Sequence, residues 1–303
     1  MADTTMRLRI YGVRGSHPPT KASNTKYGVN TTCLRIDLGD HLIIFDAGTG
    51  IINLGHDLMM ELKDAGNHSP NLWKLNVLFT HFHIDHLMGF SYFLMNYLPK
   101  TEFHFLYPRM INYDLKDVLE ELMNPALFPV TLSELPSTRH YYEIGEGKVI
   151  YFFEDGFKIY HVSEAEEVTG WQGRISCRRF YTHPKSGSYT YKIESSAGKS
   201  IVFATDVEGF VGSDQRLLKF AQGADILIHD AQYTLQEYEI FQGFGHSTYE
   251  MACKVAKEAN VKKLLLFHHD PKHDDKVLKE IEDNAQKLFS ETFMANEDMD
   301  FKL

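Results

Sequence analysis

Residues 80–86 read Thr-His-Phe-His-Ile-Asp-His and follow directly on the apolar run Leu-Asn-Val-Leu-Phe at 75–79. No other stretch narrows the fold as much. A buried strand that empties into three imidazoles and a carboxylate must end at an edge where polar groups converge. Packed so densely, those groups are costly to desolvate unless they share a cation. In an extended segment His81 and His83 point to the same side, because side chains alternate. Asp85 and His86 then open a helical segment, where an acid near the N-terminus is favoured. Imidazole with carboxylate suits zinc first, with manganese or iron also suited. A chance surface cluster is disfavoured, since the histidines sit against an apolar strand and not in a tail.

Four ligands in one loop do not complete a two-metal site, so the other strand ends matter. Asp206 follows the apolar run Ile-Val-Phe-Ala-Thr, and His268 follows Leu-Leu-Leu-Phe. Both follow strands with a parallel-sheet pattern, and open α/β folds collect functional groups at such carboxyl ends. His183 precedes the strand Tyr189–Ile193; His161 ends another strand and is the alternative for the same place. Singly, each reads as a hydrogen-bonded structural residue. In chain order, His81, His83, Asp85, His86, His183, Asp206 and His268 form a set able to hold two divalent ions bridged by Asp206, with Asp85 also counted in the catalytic apparatus.

Around these points the chain reads as strands at Arg7–Val13, Cys33–Asp37, Leu42–Asp46, Leu75–Phe79 and Glu102–Leu106. Helical spacing marks Ile51–Asp64, Asp85–Leu98 and Tyr113–Met123. From Pro125 to Lys185 short alternating runs predict hairpins. Strands follow at Tyr189–Ile193, Ile201–Ala204, Ile226–Ile228 and Lys263–Phe267, with helices at Thr248–Ala259 and Asp275–Phe289. The expectation is one domain over 1–303, with a variable hairpin-rich region near 99–182.

Composition excludes several classes. Forty-one acidic against 31 basic residues give a net charge of −10, which argues against a general basic surface for nucleic acid. Cys33, Cys177 and Cys253 form neither a metal-finger spacing nor a disulfide framework, which fits a reducing compartment. The N-terminus lacks the apolar core of a secretory signal, and no apolar run reaches the ~18 residues of a membrane span. A cytoplasmic protein without a membrane partner is expected; a homodimer is compatible with the sequence.

The HxHxDH stretch at His81, His83, Asp85 and His86 resembles that of the metallo-β-lactamase superfamily. Gly12–Ser16, Tyr27–Thr32 and Asp46–Gly50 resemble the opening strands of its ribonuclease Z and phosphodiesterase branch. The resemblance implies an α/β fold, an αββα sandwich of two mixed β-sheets flanked by helices, with metals at one edge. It makes His183 the third-motif ligand, Asp206 the bridge and His268 the last ligand. Thr190-Tyr191-Lys192 stands where the family has a Gly-Tyr/Phe-Arg core. Ile228–Ala231 and Gly245–Thr248 resemble segments of ribonuclease Z-like enzymes, which implies that His246 acts near the leaving group and Asp230 orients it. Ser247–Glu250 also reads as a capping box for the helix that follows.

Two ions held this way supply Lewis acidity and a nucleophilic water at neutral pH, for phosphorus or carbonyl carbon alike. The His246–Asp230 pair favours a phosphodiesterase. Asp206 in place of Cys disfavours a β-lactamase of the type that uses a cysteine ligand, and His83 in place of an acid disfavours flavodiiron-type oxygen chemistry. A non-catalytic binding role is disfavoured by the intact ligand set. Ribonuclease Z enzymes often carry a long arm between the third motif and the bridging aspartate; here the interval from His183 to Asp206 is too short for one. The expected substrate is therefore a small phosphodiester, such as a cyclic nucleotide or cyclic phosphate, with a large nucleic acid disfavoured. Aromatics of Phe90–Tyr97 and the region Pro125–Thr182 could line its pocket, with core packing the favoured reading for each of them taken singly. The alternatives are a thioesterase or lactonase and a ribonuclease Z-like RNA endonuclease.

Overall fold

In the computed structural model, residues 4–21, 26–64, 70–110, 113–180, 187–209 and 214–303 are described. The first half of the chain builds β1 (Met6–Gly12), β2 (Cys33–Leu38), β3 (His41–Phe45), β4 (Lys74–Leu78), β5 (Glu102–Pro108) and β6 (Thr138–Ile144). The second half adds β7 (Lys148–Phe153), β8 (Gly156–His161), β9 (Gly173–Phe180), β10 (Ser188–Ser195), β11 (Ser200–Ala204), β12 (Ile226–Asp230), β13 (Leu264–Phe267), β14 (Thr292–Met294) and β15 (Asp300–Lys302). They form two sheets, ordered β15-β1-β2-β3-β4-β5-β6 and β14-β13-β12-β11-β10-β9-β7-β8. Each sheet is mixed: β3 to β6 are mutually parallel, as are β11 to β14, and the remaining pairings are antiparallel.

The apolar pattern explains the layering. In β3, Ile43 and Phe45 enter the core between the sheets, while Leu42 and Ile44 face the helices outside. A strand buried on both faces reads as a continuous apolar run, as Leu-Ile-Ile-Phe does. Helix α1 (Gly50–Asp64) lays Ile51, Leu54, Leu58 and Leu62 on the first sheet, joined by α2 (Leu115–Leu122). The second sheet is covered by α3 (Gln215–Ala221), α5 (Tyr249–Glu258) and α6 (Asp275–Leu288), with α4 (Leu235–Phe241) between α3 and α5 in sequence. The expected αββα sandwich of two mixed sheets is the observed one. Cys177, Cys33 and Cys253 lie in the central core and the two outer cores respectively, all as free thiols.

The segment 85–98 is not the helix its periodicity predicts. It forms three 3₁₀ turns, Ile84–His86, Phe90–Tyr92 and Leu94–Tyr97. The burial of Leu87, Phe90, Phe93 and Met95 is as expected. An α-helix is prevented because its backbone partners are taken. The His86 carbonyl accepts from Ala47 N at 2.7 Å, and Gly89 N donates to the Ala47 carbonyl at 2.9 Å. Those bonds clamp the histidine loop to the turn after β3. They require Gly89, since a Cβ there would lie 2.1 Å from the Gly48 carbonyl oxygen. Gly89→Ala is expected to destabilise the protein by about 2–3 kcal/mol, read from the denaturant midpoint. An unchanged midpoint would show that the clamp yields freely.

Other differences are local. Strands β6, β14 and β15 and helices α3 and α4 have no counterpart in the sequence reading, and among the described residues of 125–185 the hairpin pattern is met by β7–β9. The cap of α5 is Thr248, which accepts from Met251 N; the Ser247 hydroxyl instead donates to the Val207 carbonyl at 2.6 Å. Among the described residues, no helix is long and apolar enough to cross a membrane.

Candidate metal centre

The parallel strands of both sheets deliver their carboxyl ends to one edge of the sandwich. Asp46 follows β3, His81 to His86 follow β4, Asp206 follows β11, Asp230 ends β12 and His268 follows β13. Asp46, Asp206 and His268 are non-glycine residues with positive φ, at 60°, 52° and 62°. Such backbone costs ~1–3 kcal/mol per residue and persists where the surroundings enforce it.

The acceptors behind the rings fix how the imidazoles face. His86 Nδ1 donates to Asp46 Oδ2 at 2.9 Å. Thr80 Oγ1 gives its proton to Asp46 Oδ2 at 2.8 Å and so accepts from His81 Nδ1 at 3.0 Å. His268 Nδ1 donates to Gln232 Oε1 at 2.8 Å, and His246 Nδ1 to Asp230 Oδ2 at 2.8 Å. With Nδ1 committed outward, the Nε2 atoms of His81, His86 and His268 turn inward on Asp206. Asp206 Oδ2 lies 3.4 Å from His81 Nε2, and Oδ1 lies 3.2 Å from His86 Nε2 and 3.3 Å from His268 Nε2. Asp85 Oδ2 is 3.2 Å from His268 Nε2 and is held by the Ser16 backbone N–H at 2.8 Å.

Ligand atoms gather within 4.8 Å of one another in three groups: His81, His83 and Asp206; Asp85, His86 and His268; Asp206, His246 and His268. Inward Nε2 atoms, outward-bonded Nδ1 atoms and buried carboxylates fit divalent metal, because such partners fix the tautomer and the ring orientation of a ligating histidine. His83 is the exposed member, its ring edge-on to His81 at 4.5 Å.

The electrostatics agree. Burial alone would raise the Asp206 carboxyl, but His268, His86 and His81 hold it well below the ordinary range. Asp85 is likewise held low against burial by His86 and His268. Burial opposes a charge on His86, yet Asp206, Asp85 and Asp46 push it well above the usual imidazole range. A proton and a cation compete for that same Nε2. Although His83 is the exposed member, desolvation of its ring by the groups around it lowers its pKa, which favours the neutral, ligating form.

The structure brings together His81, His83, Asp85, His86, Asp206, His268, His246 and Asp230. His183 lies outside the described residues. The alternative, His161, stands exposed at the end of β8 and bonds Ser163, away from all three groups. His269 turns away and donates Nε2 to the Ala295 carbonyl at 2.8 Å. His273, in the loop after β13, is buried and paired with Glu237 of α4 at 2.8 Å. Of the aromatics expected to line a pocket, Phe90 and Phe93 are core, while Tyr92 is exposed and edge-on to Phe128.

Asp46 and Gln232 were missed as functional residues. Asp46 had one available signal, an acid directly ending an apolar strand in the same way as Asp206. Asp46→Asn is expected to weaken metal affinity about 10–100-fold, measured by chelator competition. Unchanged affinity would mean that His86 needs no carboxylate behind it.

Residues 41–269 of the 303 match the family model described as beta-lactamase superfamily domain. The chain belongs to that superfamily, whose fold implies divalent metal and hydrolysis. It is 27% identical over 323 aligned positions to ribonuclease Z of Thermoplasma acidophilum, covering 99% of this chain and 97% of that one. Among solved structures, the metallo-beta-lactamase fold protein YhfI from Bacillus subtilis superposes with a TM-score of 0.67 at 16% identity, covering 99% of this chain and all of that one. Human tRNase Z, short form, gives 0.61 at 17% identity, covering 97% and 98%. The two structures share the fold.

Proposed function

We propose that the chain is a metal-dependent phosphodiester hydrolase of the ribonuclease Z type, acting on RNA. The observation that carries the chemistry is the His246–Asp230 pair beside the Asp206-centred ligand groups. The relatives named ribonuclease Z support RNA as the substrate better than the small diester favoured on sequence grounds.

Two bound divalent ions, zinc by the imidazole and carboxylate donors, supply charge neutralisation and an activated water. His81, His83, Asp206 and, by the family resemblance, His183 would hold one; Asp85, His86, His268 and Asp206 would hold the other. The protein moves the proton. Displacement at phosphorus expels an alkoxide, a poor leaving group without an acid. His246 keeps Nδ1 on Asp230 and gives the Nε2 proton to the departing oxygen. Asp230 sustains that proton: burial lowers the ring's pKa, but the carboxylate raises it to about 9. Ser247 N and Asp206 N also donate to Asp230, at 3.0 and 3.1 Å, which ties the acid to the bridging ligand.

A second reading, a small diester, is favoured by the short passage from β10 to β11. Residues 188–204 are two strands joined by a tight turn with no arm for a large RNA, and the chain carries −10 charge. End-labelled tRNA transcripts, cyclic nucleotides, bis(p-nitrophenyl) phosphate and S-lactoylglutathione separate the readings. RNA cleavage lost in Asp206→Ala supports the first. Turnover of small diesters without RNA cleavage supports the second, and thioester turnover alone overturns both.

A further inference from the structure

The loop that presents His246 has no regular structure, and Gly243 and Gly245 in it adopt φ of 89° and 94°. Such a segment does not hold an acid in register unaided. The buried carboxylate of Glu208 meets it. Oε1 accepts from Gly243 N at 2.7 Å and Tyr238 Oη at 2.9 Å, and Oε2 accepts from Gly245 N at 3.0 Å. Glu208 stands two residues beyond Asp206. On either side of it, the Val207 carbonyl accepts from Ser247 Oγ at 2.6 Å and Gly209 N donates to that oxygen at 3.0 Å.

We propose that Glu208 is a positioning residue for His246, fixing the 243–246 backbone against the loop of the bridging Asp206. This rests on the acid role given to His246. The ring of His246 is thus set by Asp230 and its backbone by Glu208. These contacts to Glu208 are all donors, so an ionised carboxylate serves both glycine amides at once. Glutamine has the same shape but turns an NH₂ toward one of those N–H groups. An amide that loses its acceptor in a buried place reorients.

The test compares wild type, Glu208→Gln and His246→Asn, with metal content measured for each. Amide hydrogen exchange of residues 242–246 is followed alongside kcat on two diesters. One leaves as p-nitrophenolate, which needs no acid; the other is a dinucleotide, which leaves as an alkoxide. For His246→Asn, kcat should fall about 100-fold or more on the dinucleotide and under about 10-fold on the nitrophenyl ester. Glu208→Gln should show the same selectivity at about 10-fold, faster exchange at 242–246 and wild-type metal content. Tyr238→Phe, which removes one donor and spares the carboxylate, should repeat the pattern at about 2–5-fold, and serves if Glu208→Gln does not fold. Equal losses on both esters, or unchanged exchange, overturn the inference. If His246→Asn is itself indifferent to the leaving group, the acid reading falls and this inference with it. If only the Glu208 and Tyr238 variants are indifferent, the acid reading stands and the inference fails.

Discussion

Asp206→Ala is expected to retain under about a thousandth of wild-type kcat and to lose bound metal, with far-ultraviolet circular dichroism unchanged. The magnitude follows from position. Asp206 faces His81 with one carboxylate oxygen and both His86 and His268 with the other, at 3.2–3.4 Å. Its removal therefore takes a carboxylate oxygen from each of the two proposed metal sites and leaves inward Nε2 atoms without the carboxylate between them. The fold should survive, because β11 is held by its apolar residues and by pairing with β10 and β12. An alanine variant with full metal content and near-native kcat would contradict this placement.

His246→Asn is expected to lower kcat on alkoxide-leaving diesters by about 10²–10⁴-fold, with metal content unchanged. Its pH profile gives a second signature. The acid must carry its proton, so wild-type kcat should fall as pH rises through the folded pKa of His246. Asp230 raises that pKa to about 9, and divalent ions bound nearby would lower it, so the alkaline limb is expected at or below about pH 9. The variant should lack the limb. A limb that persists in His246→Asn would assign the proton to another group.

Much of this centre was legible because its residues sit where strands end. The loop at 80–86 is contiguous, and Asp206 and His268 directly follow apolar runs, so the sheet rule alone places them on one edge. His246 and Asp230 could be paired only through motif resemblance, since they lie 16 positions apart with all of α4 between them. Of the partners behind the rings, Gln232 was not legible. Gln232 serves His268 only because β12 and β13 run side by side. The 3₁₀ turns at 84–97 escaped for a related reason: periodicity registers which side chains are buried but not that Ala47 has taken the backbone partners. The burial of His273 is not legible either, because it depends on Glu237 of α4, a helix whose apolar residues give no clear periodic stripe.

The central proposal is that the residues around Asp206 would hold two divalent ions and that the chain hydrolyses a phosphodiester there. It is tested most directly by adding zinc to chelator-stripped protein and following hydrolysis of bis(p-nitrophenyl) phosphate against equivalents of metal. Activity should return and level off at two equivalents per chain. Diesterase activity that survives stripping, or none at any metal loading, would contradict it.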